Sequence, residues 1–238
     1  MTSTSILAKG CRVRTATVVG LVALAAAMAP LVVRAQFLHP KISSKESTIR
    51  NVVILPAKVT VVRDSMKGPE GMAAESEDLS ARVEKTVAEV LANKKHVTTL
   101  SGPASSSGEG GAQARYTVAD IQAKFDDLLP KVMKKRKDVK NGRFTMGDEV
   151  LNLNLDKSAD AIIFIRGQGQ KLTSGKKAFT VLVGGIPAFL KLQIGIVDAR
   201  NGAVLLYTDT ILAGDPTTAV DRLRKALEKG FKKLPTAP

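Results

Sequence analysis

The sequence predicts an α/β fold, in which a mixed sheet with an antiparallel C-terminal meander carries packed helices as a single domain after an N-terminal signal. Three observations carry that prediction. Val52-Val53-Ile54-Leu55 and Ala161-Ile162-Ile163-Phe164-Ile165 are short continuous apolar runs, the pattern of strands buried on both faces. Between them lie segments whose apolar residues recur at spacings of three and four, the pattern of helices with one buried stripe. Near the C-terminus, Leu190–Val197 and Ala203–Leu212 flank Asp198-Ala199-Arg200-Asn201-Gly202, and Asn-Gly supplies the positive backbone angles of a tight hairpin.

Taken in order, residues 1–35 read as an export signal. Lys9, Arg12 and Arg14 make a positive start, and Ala16 to Val33 carries no charge. Val33-Arg34-Ala35 then offers small-residue cleavage chemistry before Gln36. The alternative is an inner-membrane anchor retained at 16–33, a run of 18 residues interrupted by Pro30, where about 20 are usually needed to span the hydrocarbon. Cys11 precedes the apolar run instead of following it, so it does not fit a lipid-accepting position. Removal of the signal leaves no cysteine and excludes disulfides, thiol catalysis and thiolate metal sites.

Residues 36–50 are polar and mixed and read as an exposed arm, so the α/β domain is expected over 51–238. Val59, Val61 and Val62 suggest a second strand or the continuation of the first, ending at Asp64, and Gly68, Pro69 and Gly71 mark Arg63–Met72 as a loop. A helix is predicted over about Glu75 to Asn93, with Leu79, Val83, Val87, Val90 and Leu91 on one stripe, and Val97–Leu100 returns to the sheet. The Ser/Gly-rich stretch at 101–115 reads as a flexible insertion. Thr117 and Asp120 have capping-box spacing ahead of the stripe Val118, Ile121, Phe125, Leu128 and Leu129. Pro130 is expected to kink that helix or end it one residue earlier.

Residues 144–156 carry mixed signals. Leu151, Leu153 and Leu155 alternate as in a strand, but Thr145 ahead of Asp148 and Glu149 favours a helix. After the strand at 161–165, Leu172–Lys177 reads as a turn and Ala178–Val183 as a further strand or hairpin arm. Asp215-Pro216 reads as a cap followed by proline at the first position of a closing helix, with Val220, Leu223, Leu227, Phe231 and Leu234 on its buried side.

Composition sets the electrostatics. The chain carries 36 basic and 22 acidic residues, net +14; without Lys9, Arg12, Arg14 and Arg34 the balance is +10. That excess favours anionic partners such as lipid headgroups or acidic envelope polymers. The absence of Trp and the presence of only two Tyr disfavour nucleic acid, which needs aromatic stacking platforms.

The chemistry of catalysis is sparse. Gly169 to Lys177 superficially resembles a phosphate-binding loop, but five residues separate Gly169 from Gly175, and Lys177 occupies the position of the magnesium-binding hydroxyl. The segment is also expected between strands, with no helix N-terminus facing a phosphate. His39 in the arm and His96 after the first long helix are isolated, so no zinc set is expected. Asp126–Asp127 and Asp148–Glu149 are adjacent pairs, which point about 100° apart on a helix and do not converge on one bond. Asp160 and Asp198 stand at strand ends, where α/β proteins place ligands, but turn formation accounts for each. No catalytic residue, cofactor or metal is expected.

Two features remain for binding. Lys131, Lys134, Lys135, Arg136, Lys137 and Lys140 form the densest basic cluster, suited to anionic headgroups or to a solvated helix end. Val181 to Leu190 is ten residues without charge, broken by Gly184-Gly185 and Pro187, and could present Ile186 and Phe189 to a partner or bilayer.

Several stretches together resemble one superfamily of bacterial envelope proteins. They are Val52-Val53-Ile54-Leu55-Pro56, Leu79–Leu91, Ala159-Asp160 through Arg166-Gly167, and Leu192 through Val197-Asp198-Ala199-Arg200-Asn201-Gly202 with its following apolar strand. The superfamily includes the curli secretion channel subunit, lipoprotein activators of penicillin-binding proteins and the N-terminal domain of the Tol–Pal translocation protein. The resemblance spans about residues 51–234 and concerns strands and turns, so it transfers no catalytic residue. It implies a non-enzymatic periplasmic or secreted scaffold that binds another envelope protein or complex, with homo-oligomer formation open. The alternative is a peripheral protein that binds anionic lipid through 131–140 and 181–190.

Overall fold

The computed structural model describes residues 32–102, 117–153, 155–182, 188–218 and 220–237. Most of the signal segment, most of the insertion and Ile186 lie outside them.

Eight strands form one mixed sheet among the described residues. Its centre is β6 (Ala161–Leu172), a 12-residue strand whose first half is the run read as central from the sequence. On one side β6 pairs antiparallel with β7 (Ala188–Asp198), β7 with β8 (Val204–Ala213), and β8 with the edge strand β1 (Val32–Leu38). On the other side two short strands share its length in parallel. β2 (Asn51–Ile54) takes the start of β6 and in turn pairs with β5 (Thr98–Leu100), while β3 (Lys58–Ser65) takes the end. β4 (Gly68–Gly71) closes a hairpin on β3. This is the mixed sheet with antiparallel meander that the apolar runs predict.

The sheet separates two cores because successive strand residues face opposite ways. Val52, Ile54, Ile163, Ile165, Leu192, Ile194 and Ile196 pack on one side beneath helices α2 (Ala73–Lys95) and α6 (Val220–Gly230). Val53, Leu55, Ile162, Phe164, Val197 and Tyr207 pack on the other, beneath α3 (Val118–Lys134) and its short continuation α4 (Arg136–Lys140). His96 ends α2 in a left-handed conformation, φ 53°, with its N–H bonded to Ala92 and Leu91 carbonyls.

Several expectations are corrected. Residues 36–50 are not an exposed arm. Gln36 to Leu38 belong to β1, the short helix α1 (Pro40–Ser43) follows, and Ile42 and Ile49 are buried. β8 needs a partner on its outer side, and the Phe37 and Leu38 backbone supplies it opposite Tyr207 and Leu206. Ala35, the predicted cleavage position, lies within this strand opposite Asp209, so a cut there removes the first half of β1.

Part of the Arg63–Met72 loop is the β3–β4 hairpin, which turns at Gly68 with φ 117°. Helix α3 continues through Pro130 to Lys134. Among the described residues of 144–156 the helical element is a 3-10 turn at Asp148–Asn152; Thr145 bridges to Ala203, and its hydroxyl accepts from Gly147 N–H rather than capping a helix. Ser174–Leu182 forms helix α5, where a turn and a further strand or hairpin arm were expected. β6 and β7 pair with each other until Lys171 faces Ala188, which leaves Ser174–Leu182 outside their ladder. Asp215 accepts bonds from Thr217 N–H and hydroxyl in a local turn, and α6 starts only at Val220.

The hairpin at 198–203 is present in a wider form. Gly202 N–H bonds to the Asp198 carbonyl, and only Gly202, φ 70°, has positive φ. A Cβ there would lie 2.2 Å from the Gly147 carbonyl oxygen, so both conformation and space demand glycine.

Candidate functional site

The basic cluster sits on a firmly held platform. Thr117 and Asp120 close the predicted capping box: the Asp120 N–H donates to the Thr117 hydroxyl at 3.2 Å, and the Thr117 N–H donates to the Asp120 carboxylate at 2.8 Å. That backbone bond, with one from the Thr117 hydroxyl, holds the Asp120 pKa below the ordinary carboxylate range. Farther along α3, Ile121, Phe125 and Val132 are buried, as is Val139 on α4. Phe125 stacks on Phe164 with ring centroids 4.6 Å apart and lies directly over Gly195.

An additional anchor was not apparent from residue spacing. Arg166, buried in β6, pairs with Asp126 and donates to the Gln122 carbonyl at 3.1 Å, with its guanidinium 5.9 Å from the Phe125 ring centre. Asp126, read as part of a solvated pair, is therefore the counter-ion of a buried arginine. Guanidinium is always charged and must be paired when taken from water. This pair and the aromatic contacts fix α3 across the sheet.

From this platform Lys131, Lys134, Lys135, Lys137 and Lys140 project exposed. None of the five makes an ion pair among the described residues, and the nearest acid in sequence, Asp138, pairs with Arg143 at 3.2 Å. The backbone of Arg136 begins α4. The lysines also lie where helix carbonyls end, which favours positive charge.

The second predicted feature is divided. Phe189 is half-buried in β7, between Gln170 and Ala213, and lines a cavity of about 460 Å³ with Val62, Pro69 and Gln168. Leu182, at the end of α5, is the exposed apolar residue here, 84% accessible. The structure does not join this feature to the lysines: α4 packs on the β1 edge, and α5 packs on β3 and β6, with β8 and β7 between.

The carboxylates at strand ends serve turns. Asp160 accepts from Arg50 and Asn51 N–H, both at 3.0 Å, and pairs with Arg200; Asp198 accepts from Arg200 N–H at 2.7 Å. Glu149 pairs with Lys124, which holds its pKa below the usual carboxylate range. His39 is buried, contrary to its expected exposure: its Nδ1 accepts from Lys41 N–H at 3.2 Å, and its ring packs against Gly142. In the segment resembling a phosphate loop, a helix does begin at Ser174, contrary to expectation. However, Gly169 lies in β6, Gly175 lies within α5, and Lys176 is spent on Asp64 at 2.7 Å. No group of three or more His, Cys, Asp or Glu side chains converges as a metal set among the described residues. No helix among them is long and apolar enough to cross a membrane.

One collection of charge was missed entirely. Lys45, Lys95, Lys232 and Lys233 line a cavity of about 740 Å³, together with the half-buried Leu38 and Pro235. They come from three distant segments, so no local pattern announces them.

No protein-family model matches the chain, and no curated protein matches it. Among solved structures it is similar to a PelC dodecamer from Paraburkholderia phytofirmans, at 12% identity and TM-score 0.40, covering 86% of this chain and 97% of that one. It is also similar to lipoprotein GNA1162 from Neisseria meningitidis, at 10% identity and TM-score 0.28, covering 69% of this chain and 81% of that one. The functional reading rests on this chain's own residues.

Proposed function

We propose that the chain is a non-enzymatic binding or scaffold protein of the bacterial cell envelope, working in the periplasm and docking on an acidic face of another envelope protein through the α3–α4 lysines. The observation that supports this reading is the row of five exposed lysines without an ion-pair partner among the described residues, on a helix fixed by a capping box, a buried arginine pair and aromatic packing. Solvated lysines at a helix end need no such anchorage. A rigid basic surface lowers the entropic cost of docking and steers an acidic partner. The same charge supports a second reading, attraction to an anionic membrane, where each lysine near the surface contributes about 1 kcal/mol.

Full-length protein and the variant K131Q/K134Q/K135Q/K137Q/K140Q separate the two. The scaffold reading expects capture of an acidic envelope protein that weakens with salt and is lost in the variant, with no binding to phosphatidylglycerol vesicles. The membrane reading expects vesicle binding with the same salt dependence. Capture and vesicle binding both indifferent to the five substitutions would refute the role of the cluster.

A further inference from the structure

We propose that the lysine-lined cavity between α1, the end of α2 and the C-terminal segment binds a phosphate-bearing amphiphile, its phosphate on Lys45, Lys232 and Lys233 and its apolar body on Leu38 and Pro235. The site is separate from the α3–α4 surface and does not depend on it.

Convergence is the first ground. Lys45 follows α1, Lys95 ends α2, and Lys232 and Lys233 follow α6, yet all four line one cavity. Like charges repel, so bringing four lysines to one concavity is less unfavourable once an anion enters. No acidic residue among the described residues lines the cavity.

Order is the second. Lys95 Nζ donates to the Leu234 carbonyl and, at 3.3 Å, to the Lys232 carbonyl, while Ala237 N–H donates to the Lys95 carbonyl at 2.8 Å. The C-terminal segment is thereby tied to the end of α2, and Lys232 and Lys233 stay exposed at the rim. Partial burial lowers the Lys95 pKa.

Shape is the third. About 740 Å³ lies within the range of small-molecule sites and far exceeds a free phosphate. Leu38 and Pro235 are half-buried and line it, so an apolar patch lies inside a cationic rim. An occupant with a charged head and an apolar body meets both; a neutral lipid wastes the rim and an inorganic ion wastes the patch.

Calorimetric titration of the full-length protein tests this with three probes: dihexanoyl phosphatidate below its micelle concentration, dihexanoyl phosphatidylcholine and inorganic phosphate. Phosphatidate is expected to bind tightest, with affinity falling about tenfold in K232Q/K233Q and less than about twofold in K67Q/K157Q, which removes two exposed lysines elsewhere. Amide chemical shifts of Lys232, Lys233, Leu234 and Thr236 in the unaltered protein are expected to move with phosphatidate, a readout that requires no variant to fold. The proposal is overturned by equal binding of phosphatidylcholine, equal binding of inorganic phosphate, absence of phosphatidate binding, or loss of binding in the α3–α4 five-lysine variant instead.

Discussion

The two faces of the sheet solve one burial problem with different materials. Beneath α2 and α6 the strands contribute almost only aliphatic side chains, and two helices cover them side by side, linked by Arg224–Glu89 at 2.6 Å. Beneath α3 the same strands contribute Phe164, Tyr207, Arg166 and Gln193, with a single long helix as the main cover. Aliphatic branches interlock with ridges on two helices and need no partners. Under one helix, larger rings must fill the width, and each polar group among them requires a specific bond. The aliphatic face can therefore be assembled from many equivalent residues, while the aromatic face depends on particular pairs. The α3–α4 lysines stand on the more particular of the two.

That contrast breaks most directly at adjacent residues of β6. Phe164→Ala should cost about 4 kcal/mol and Ile163→Val about 1 kcal/mol, measured by chemical denaturation, although both side chains are completely buried. Equal small losses would show that α3 settles onto the sheet as readily as α2 and α6 do.

High pH probes the same face next. Burial raises the Tyr207 pKa from 10.0 to about 12, although the bond from Gln193 opposes the shift. The native state therefore holds the phenolic proton more tightly than the unfolded chain. This contribution is complete below pH 10 and disappears as pH rises towards 12; it is about 3 kcal/mol at most. Tyr207→Phe should flatten that part of the stability–pH curve, and a curve unchanged by the substitution would contradict the assignment.

The smallest effect sharpens the comparison. A Cβ at Gly195 would lie 2.5 Å from the Phe125 ring, so Gly195→Ala should cost about 2 kcal/mol by overpacking. Phe125→Leu should recover part of that loss, giving a coupling of about 1 kcal/mol in a double-mutant cycle. Independent effects would mean that α3 shifts freely and that the lysine platform is looser than its contacts imply.

Legibility followed the range of the interactions. The strands at Val52–Leu55 and Ala161–Ile165, the stripe of α2 and the capping box at Thr117 are written in neighbouring residues, and each appears in the structure. Ser174–Leu182 misled because Thr180 and Val181 suit a strand, whereas pairing of β6 with β7 left that segment outside the sheet. The segment 36–50 misled in the same way: its polar composition describes Ser43 and Ser44 correctly but conceals Ile42 and Ile49, which find their core only when β1 docks on β8.

Charge shows the same division. The sequence by itself determined that the chain is basic, where its densest lysine run lies and that α2, α3 and the central strand form, because these depend on composition and on periods of two to four residues. Only the tertiary structure decided that Arg166 would be buried against Asp126, that Phe189 would sit apart from the lysine run, and that Lys45, Lys95, Lys232 and Lys233 would share one cavity. Those outcomes depend on contacts between residues tens to hundreds of positions apart, and long-range pairing follows from how the sheet closes rather than from any local pattern.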